Sequence, residues 1–357
     1  MYFIKRTSFL ACLTFSVVAQ SLWAIPADKT GASASSEFER AYSDSDFERE
    51  ASAASPGRGN QQNQLKTSLQ GVESSLKLGA EPLPVEDYPQ SLKLLVEDDG
   101  DFRLKDSLLR EMRFEDISSE DVAALMSFLL VRKVDEYGAE NLQHLSHKND
   151  ALVCLLDQSP MPEDLGKLML KIVHDESEDI VWREYVLQYF AEYYRSMWPI
   201  GDNAGNPDMP LRRAMQRTLA QALFMEDSPL SGTALIVLNN LADDYPEFGR
   251  GVMAKASRRL AASPEACTAS CITALSLLPD APENEDVLMT SDIAQNSSAQ
   301  YAVRVAAAGR LAKWSERNHP LASERLRALA ITAGNSKSDN RIRNAAQSKL
   351  DKIQLGE

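Results

Sequence analysis

From about residue 91 to the C-terminus, apolar residues recur at three- and four-residue spacing, and almost nothing alternates with the period of a strand; the pattern predicts helices. The clearest run is Val303 to Leu311, where Val303, Ala306, Ala307 and Leu311 fall on one helix stripe. Ile342 to Leu350 repeats it, with Ile342, Ala345, Ala346 and Leu350 at the same offsets. The small alanines permit close helix packing. Thr233 to Leu241 and Ser270 to Leu278 are weaker runs of the same kind, and their partner helices are predicted at Leu165 to Val173, Leu211 to Met225, Phe248 to Ala262, Asp286 to Gln295 and Leu321 to Ala333. Pro160, Pro162, Pro229, Pro264, Pro279, Pro282 and Pro320 lie between runs, where helices start and stop.

The runs share a register. Arg304 and Arg343 stand 39 residues apart, and a third, looser copy runs from Asp179 through Arg183. Asp179 and Asp339 each precede an arginine by four, which suits a helix cap and a same-face ion pair of roughly a few tenths of a kcal/mol. Arg183 to Arg304 spans 121 residues, room for three units, the first stretched by the Pro- and Gly-rich segment Pro199 to Pro210.

This organisation resembles armadillo-type HEAT-like repeats, helix pairs of roughly forty to forty-seven residues stacked side by side. The resemblance covers about residues 150 to 357. It implies an all-α fold, a right-handed α-solenoid of stacked helix pairs whose extended surface binds macromolecules, although some such proteins act on proteins as enzymes.

Upstream, residues 1–24 carry Lys5 and Arg6, an apolar stretch from Phe9 to Ala19, and Ser-Leu-Trp-Ala ending at Ala24, the form of a cleaved signal peptide. Residues 25–90 hold too few large apolar side chains for a core and are expected to be a disordered tail and linker; Leu65, Leu69, Val72 and Leu76 suggest a short helix within 61–78. Residues 91–150 read as an irregular helical cap, and 151–357 as the repeats.

Charge narrows the partner. The formal charge is −14, and residues 91–200 hold 23 acids against 12 bases, whereas residues 301–357 hold 5 against 11. Such acidity disfavours nucleic acid, and the basic C-terminal end provides an orienting gradient.

Searched for chemistry, the chain offers only fragments. Cys267 and Cys271 share a helix face but suit disulfide geometry badly and read as core-filling thiols, while His144 and His147 lack a third metal ligand and read as ordinary surface or core histidines. Gly249 to Ala254 has the dinucleotide fingerprint spacing without the preceding strand. Asp202 and Asp208 suit calcium chemically, without the ordered ligand spacing of a calcium loop. The helix from Trp182 to Trp198 is unusually aromatic, which suits either packing or the grip of a protein or sugar.

The sequence therefore leads to an exported, non-catalytic interaction scaffold, periplasmic or extracellular, binding an envelope protein, with no cofactor, no metal and no integral membrane segment after leader cleavage. Tyr189 and Tyr193 are the expected aromatic patch, and Arg310, Arg317, Arg341 and Lys349 the basic end. An enzyme with a fold-assembled site and a cell-wall glycan binder are the competing expectations.

Overall fold

The computed structural model describes residues 82–97, 101–132, 139–200, 209–245, 248–331 and 337–355, all within one compact unit. The leader, the tail up to residue 81 with its short helix, and the Asp202 and Asp208 segment lie outside the described residues.

Among the described residues the structure is helical, with no strand. A 3-10 turn at Val85–Asp87 and α1 (Lys93–Val96) lead into α2 (Phe102–Met112), α3 (Ser119–Phe128) and α4 (Ala139–Leu156). Helix pairs follow. The first is α5 (Leu165–His174) with α6 (Ile180–Gln188) and its continuation α7 (Phe190–Met197); the second is α8 (Met209–Phe224) with α9 (Pro229–Leu241). Next come α10 (Arg250–Ala262) with α11 (Thr268–Ser276), α12 (Asn284–Gln295) with α13 (Tyr301–Glu316), and α14 (Pro320–Ile331) with α15 (Lys337–Leu355).

The helices pack neighbour to neighbour. Besides the contacts within pairs, α4, α6, α9, α11, α13 and α15 touch in succession, and so do α10, α12 and α14. Asp179 caps α6 and Pro229 opens α9 where expected, the latter with Ser228 as its cap, and Ser118 caps α3 in a reciprocal box with Asp121. Asn318, in the left-handed region at φ 63°, ends α13, and the His319 N–H returns to the Trp314 carbonyl at 3.1 Å.

The aromatic stretch predicted as one helix from Trp182 to Trp198 is two segments meeting at Tyr189. There the backbone tightens, the Tyr189 N–H reaching Val186 O at 3.2 Å. The break lets both ends turn aromatics inward: Trp182, Phe190, Tyr193 and Tyr194 are fully buried. Tyr194 packs edge-on against Tyr245 and Phe248 at 4.9 and 5.2 Å, joining α7 to the segment after α9. Each large apolar side chain so buried contributes roughly 1.5–3 kcal/mol.

The repeat arginines do something the spacing did not foresee. Arg183 Nε donates to Val173 O at 2.9 Å, and Arg304 Nε donates to Ala294 O at 3.1 Å, both ten residues back. Each carbonyl lies in the last turn of the pair's first helix, where no intrahelical donor exists. The expected same-helix pairing of Asp179 with Arg183 is thereby replaced. Asp179 instead accepts the Val181 N–H at 2.7 Å and the Asn141 amide of the preceding unit at 3.1 Å. Likewise Asp339 accepts Arg304 Nη2 across the unit boundary at 2.6 Å. The arginine reaches backward because its long side chain spans the pair, while the short aspartate is committed to capping.

Between the second helices of the pairs, contact is close. A Cβ built on Gly232 of α9 would stand 3.0 Å from the Cα of Ser270 on α11, so no side chain fits between these backbones. The Ser270 hydroxyl accepts from Ser231 Oγ at 2.8 Å and from the Gly232 N–H at 3.0 Å, and donates to Ser228 O at 3.0 Å.

Two stability predictions follow from this geometry. Arg183→Met keeps the apolar stem but leaves Val173 O without its donor, so urea denaturation should show a loss of about 1–3 kcal/mol; an unchanged midpoint would mean the carbonyl is satisfied otherwise. Gly232→Ala should cost about 1–3 kcal/mol by forcing α9 from α11, measured in the same assay.

Candidate functional site

Burial along the second helices determines which surface is free. On α13, Val303, Arg304, Ala307, Ala308, Leu311, Ala312, Trp314 and Ser315 are buried, which leaves a stripe of Ala302, Val305, Ala306, Gly309, Lys313 and Glu316 open or half open. On α9 almost every residue is buried, with Ile236 exposed; on α11 the open positions are Ala269 and Ser276, flanked by half-buried Ile272 and Thr273. Around Ala302, Ala306 and Gly309 the open side chains are short, and a Cβ on Gly309 would meet nothing within 4 Å. At the end of the row α15 turns Arg341, Asn344, Gln347, Ser348 and Lys349 to solvent.

Of the six residues expected to meet a partner, the structure leaves three at the surface. Tyr193 is 0% exposed and packs beside Trp198 at 6.1 Å; a Cβ on Gly166 of α5 would come within 2.4 Å of its hydroxyl. It is a core residue, buried because α5 approaches without a side chain there. Tyr189 is half buried, and burial raises its phenol pKa although a side-chain hydrogen bond from Asn149 lowers it. Arg310 is also core: its guanidinium lies 5.2 Å from the Trp314 ring centroid and donates to Leu278 O and to Asp280 Oδ1. Arg317, Arg341 and Lys349 are exposed, and Arg341 stands over Tyr301 of α13 at 5.9 Å.

One residue that sequence reasoning missed ties the basic edge together. Asp280, in the turn after α11, has Oδ1 3.2 Å from both Arg310 Nη2 and Lys313 Nζ, and Oδ2 2.9 Å from Arg317 Nη1. Burial raises its pKa, but Lys313, Arg310 and Arg317 together hold the carboxyl below its usual range. The spacing of Arg310, Lys313 and Arg317 along one face was legible; Asp280, thirty residues earlier, was not.

Elsewhere, several titratable groups are buried. Lys148 of α4 is buried, its ammonium 3.7 Å from Glu178 Oε2 and 5.2 Å from the Trp182 ring, and burial pushes its pKa down to about 8. Glu178 also binds Arg132 Nε at 2.8 Å, which tethers the end of α3 to the turn before α6. His144 contacts Val131 O at 3.1 Å and meets Phe128 edge-on, while His147 lies 4.6 Å from the Phe102 ring; both are buried, a choice between surface and core that the sequence had left open. Cys154, Cys267 and Cys271 are free thiols; Cys267 sits at the start of α11 and Cys271 donates toward Leu260 O at 3.7 Å. Gly249 precedes α10, a helix with no strand before it among the described residues.

An open groove of about 370 Å³ between α10 and α12 is lined by Arg258, Arg259, Glu283, Glu285, Asp286 and Met289. Arg258 closes it with a fork onto Asp286, at 2.6 and 2.9 Å, and a bond to Glu283 at 2.9 Å. Among the described residues no three His, Cys, Asp or Glu side chains converge as a metal-ligand set, and no helix is long and apolar enough to cross a membrane. Comparison with family models, with curated proteins and with solved structures finds no match.

His174 gives the region a pH signature. Its Nε2 lies 2.7 Å from Thr218 Oγ1, and burial, with Arg183 nearby, pushes its pKa down to about 4. The unfolded chain takes up that proton first as pH falls, so stability should decline between about pH 6.5 and pH 4. Urea midpoints at both ends of that range should differ less in His174→Gln than in wild type; equal slopes would remove His174 as the cause.

Proposed function

We propose that this chain is an exported, non-catalytic scaffold: a right-handed α-solenoid of HEAT-like pairs that holds a protein partner of the bacterial cell envelope along the second helices of its pairs. The observation that carries this reading is the continuous row from α9 through α11 and α13 to α15, closely packed, short in side chain around Gly309, and ending in exposed cations. In a solenoid the more closely packed row faces the inside of the curve, where a partner meets several units at once. Ile236, Val305 and Ala306 offer apolar contact, and Arg317, Arg341 and Lys349 offer charge at one end.

Two further features support the assignment. The leader sequence supports export, and Lys148, Glu178, His144 and His147 are buried, which leaves their chemistry little approach from solvent. Trp182, Tyr193, Tyr194 and Trp198 are buried, which leaves Tyr185 and Tyr189, both half buried, as the aromatics of that stretch that a glycan could reach.

The test is site-specific photocrosslinking in envelope extracts, with a benzophenone residue at Gly309 or Ile236 and, as comparison, at the exposed Leu288 of α12. A shared protein adduct from Gly309 and Ile236, absent from Leu288, is the expected result. No adduct from either, or equal adducts from all three, would sink the scaffold reading.

A further inference from the structure

The cation cluster on α13 carries more than structural charge. Arg310, Lys313 and Arg317 converge on the single carboxylate of Asp280, at 3.2, 3.2 and 2.9 Å, so three cations share one carboxylate at contact distance and, of the three, Asp286 acts at longer range on the buried Arg310 alone. Arg310 is committed to the core, its side chain 4% exposed, whereas Lys313 and Arg317 keep 48% and 50% of theirs exposed. Three cations carry about thirteen N–H donors, and one carboxylate accepts about four hydrogen bonds, so donors on Lys313 and Arg317 remain to face a ligand.

The cluster is also held in place. Trp314 Nε1 donates to Pro279 O at 2.9 Å, and Arg310 donates to the neighbouring Leu278 carbonyl, so two core side chains of α13 fix the turn that carries Asp280. Asp280 in turn fixes the ends of Lys313 and Arg317, removing part of the side-chain entropy that a ligand would otherwise have to overcome.

We propose that this cluster is a docking site for an acidic protein segment, whose carboxylates bind Lys313 and Arg317 on either side of Asp280. The inference rests on the scaffold reading and names the chemistry of the partner. Lys313 in the last turn of α13 and Arg317 at its C-terminal cap are four residues apart, about 6 Å of helical rise, close to the spacing of alternate residues in an extended strand. Single carboxylates carried on a chain can therefore reach both cations while avoiding Asp280. A phosphate dianion would set twice the charge of a single carboxylate against the fixed aspartate.

The experiment is fluorescence anisotropy of the full-length protein with a labelled peptide of alternating Asp and Ser, at low and at physiological salt. Wild type should bind, more tightly at low salt. K313E/R317E should weaken binding by about ten-fold or more, and K313Q/R317Q should weaken it in the same direction but less. R103E/R110E, the same charge change on exposed residues of α2, should stay within about two-fold of wild type if local geometry outweighs net charge. Circular dichroism of each variant confirms that the helices persist. Absence of wild-type binding, equal affinity in K313E/R317E, or an equal loss in R103E/R110E would overturn the site; equal affinity for a duplex DNA of matched charge would overturn the acidic-protein assignment. Crosslinking from Gly309 to an envelope protein that persists in K313E/R317E would sink this inference and leave the scaffold standing. Peptide binding without any crosslinked protein would do the reverse.

Discussion

The rest of the structure depends on how the last-turn carbonyls of its helices are satisfied. An α-helix leaves four carbonyls without intrahelical donors, and stacking helix pairs buries those ends against the next unit, away from water. Side chains from neighbouring helices supply the donors. Arg183 binds Val173 O, Arg259 binds Leu223 O at 2.9 Å, Arg304 binds Ala294 O, and the indole of Trp182 reaches Leu129 O at 3.2 Å. Lys105 serves the carbonyl of Glu97 after α1 at 2.6 Å in the same way. An orphaned buried carbonyl costs about as much as several surface contacts contribute, so these long donors decide which helices can lie side by side.

That requirement explains why so many cations lie inside an acidic chain. Arg183, Arg304 and Arg310 are buried with their stems in apolar surroundings and their guanidinium groups on carbonyls or carboxylates, a use that suits the forked donors of arginine. Buried acids answer the same need at helix starts: Asp286 closes a capping box with Glu283 while binding Arg258. Caps and cations thus join one unit to the next. The Asn141 to Asp179 and Arg304 to Asp339 bonds are two versions of this joint, at 3.1 and 2.6 Å.

The same arrangement settles what is left for a partner. Where helices approach through Gly232, Ser270 and the alanines of α13, the interior is filled by small residues and the open side chains around Gly309 are short. Where the turn after α11 is pinned by Trp314 and Arg310, a carboxylate and two exposed cations are held at fixed positions. Surface chemistry here is a by-product of how the core carbonyls are served, because the buried half of α13 fixes the turn and the exposed half receives it.

The sequence by itself determined the helical class and the positions of most helices, because periodic burial, proline breaks and short capping acids act within a few residues of chain. It also located the structural arginines, although it assigned Arg183 and Asp179 to each other. Tertiary structure alone decided the partners: whether Tyr193 faced solvent or Gly166, whether Arg310 stood at a surface or beneath one, and which carboxylate drew Lys313 and Arg317 together. A helix stripe reveals that a side chain has a buried face. Only the packing of helices thirty to fifty residues apart supplies the carbonyl, ring or carboxylate that meets it, and no local pattern encodes that encounter.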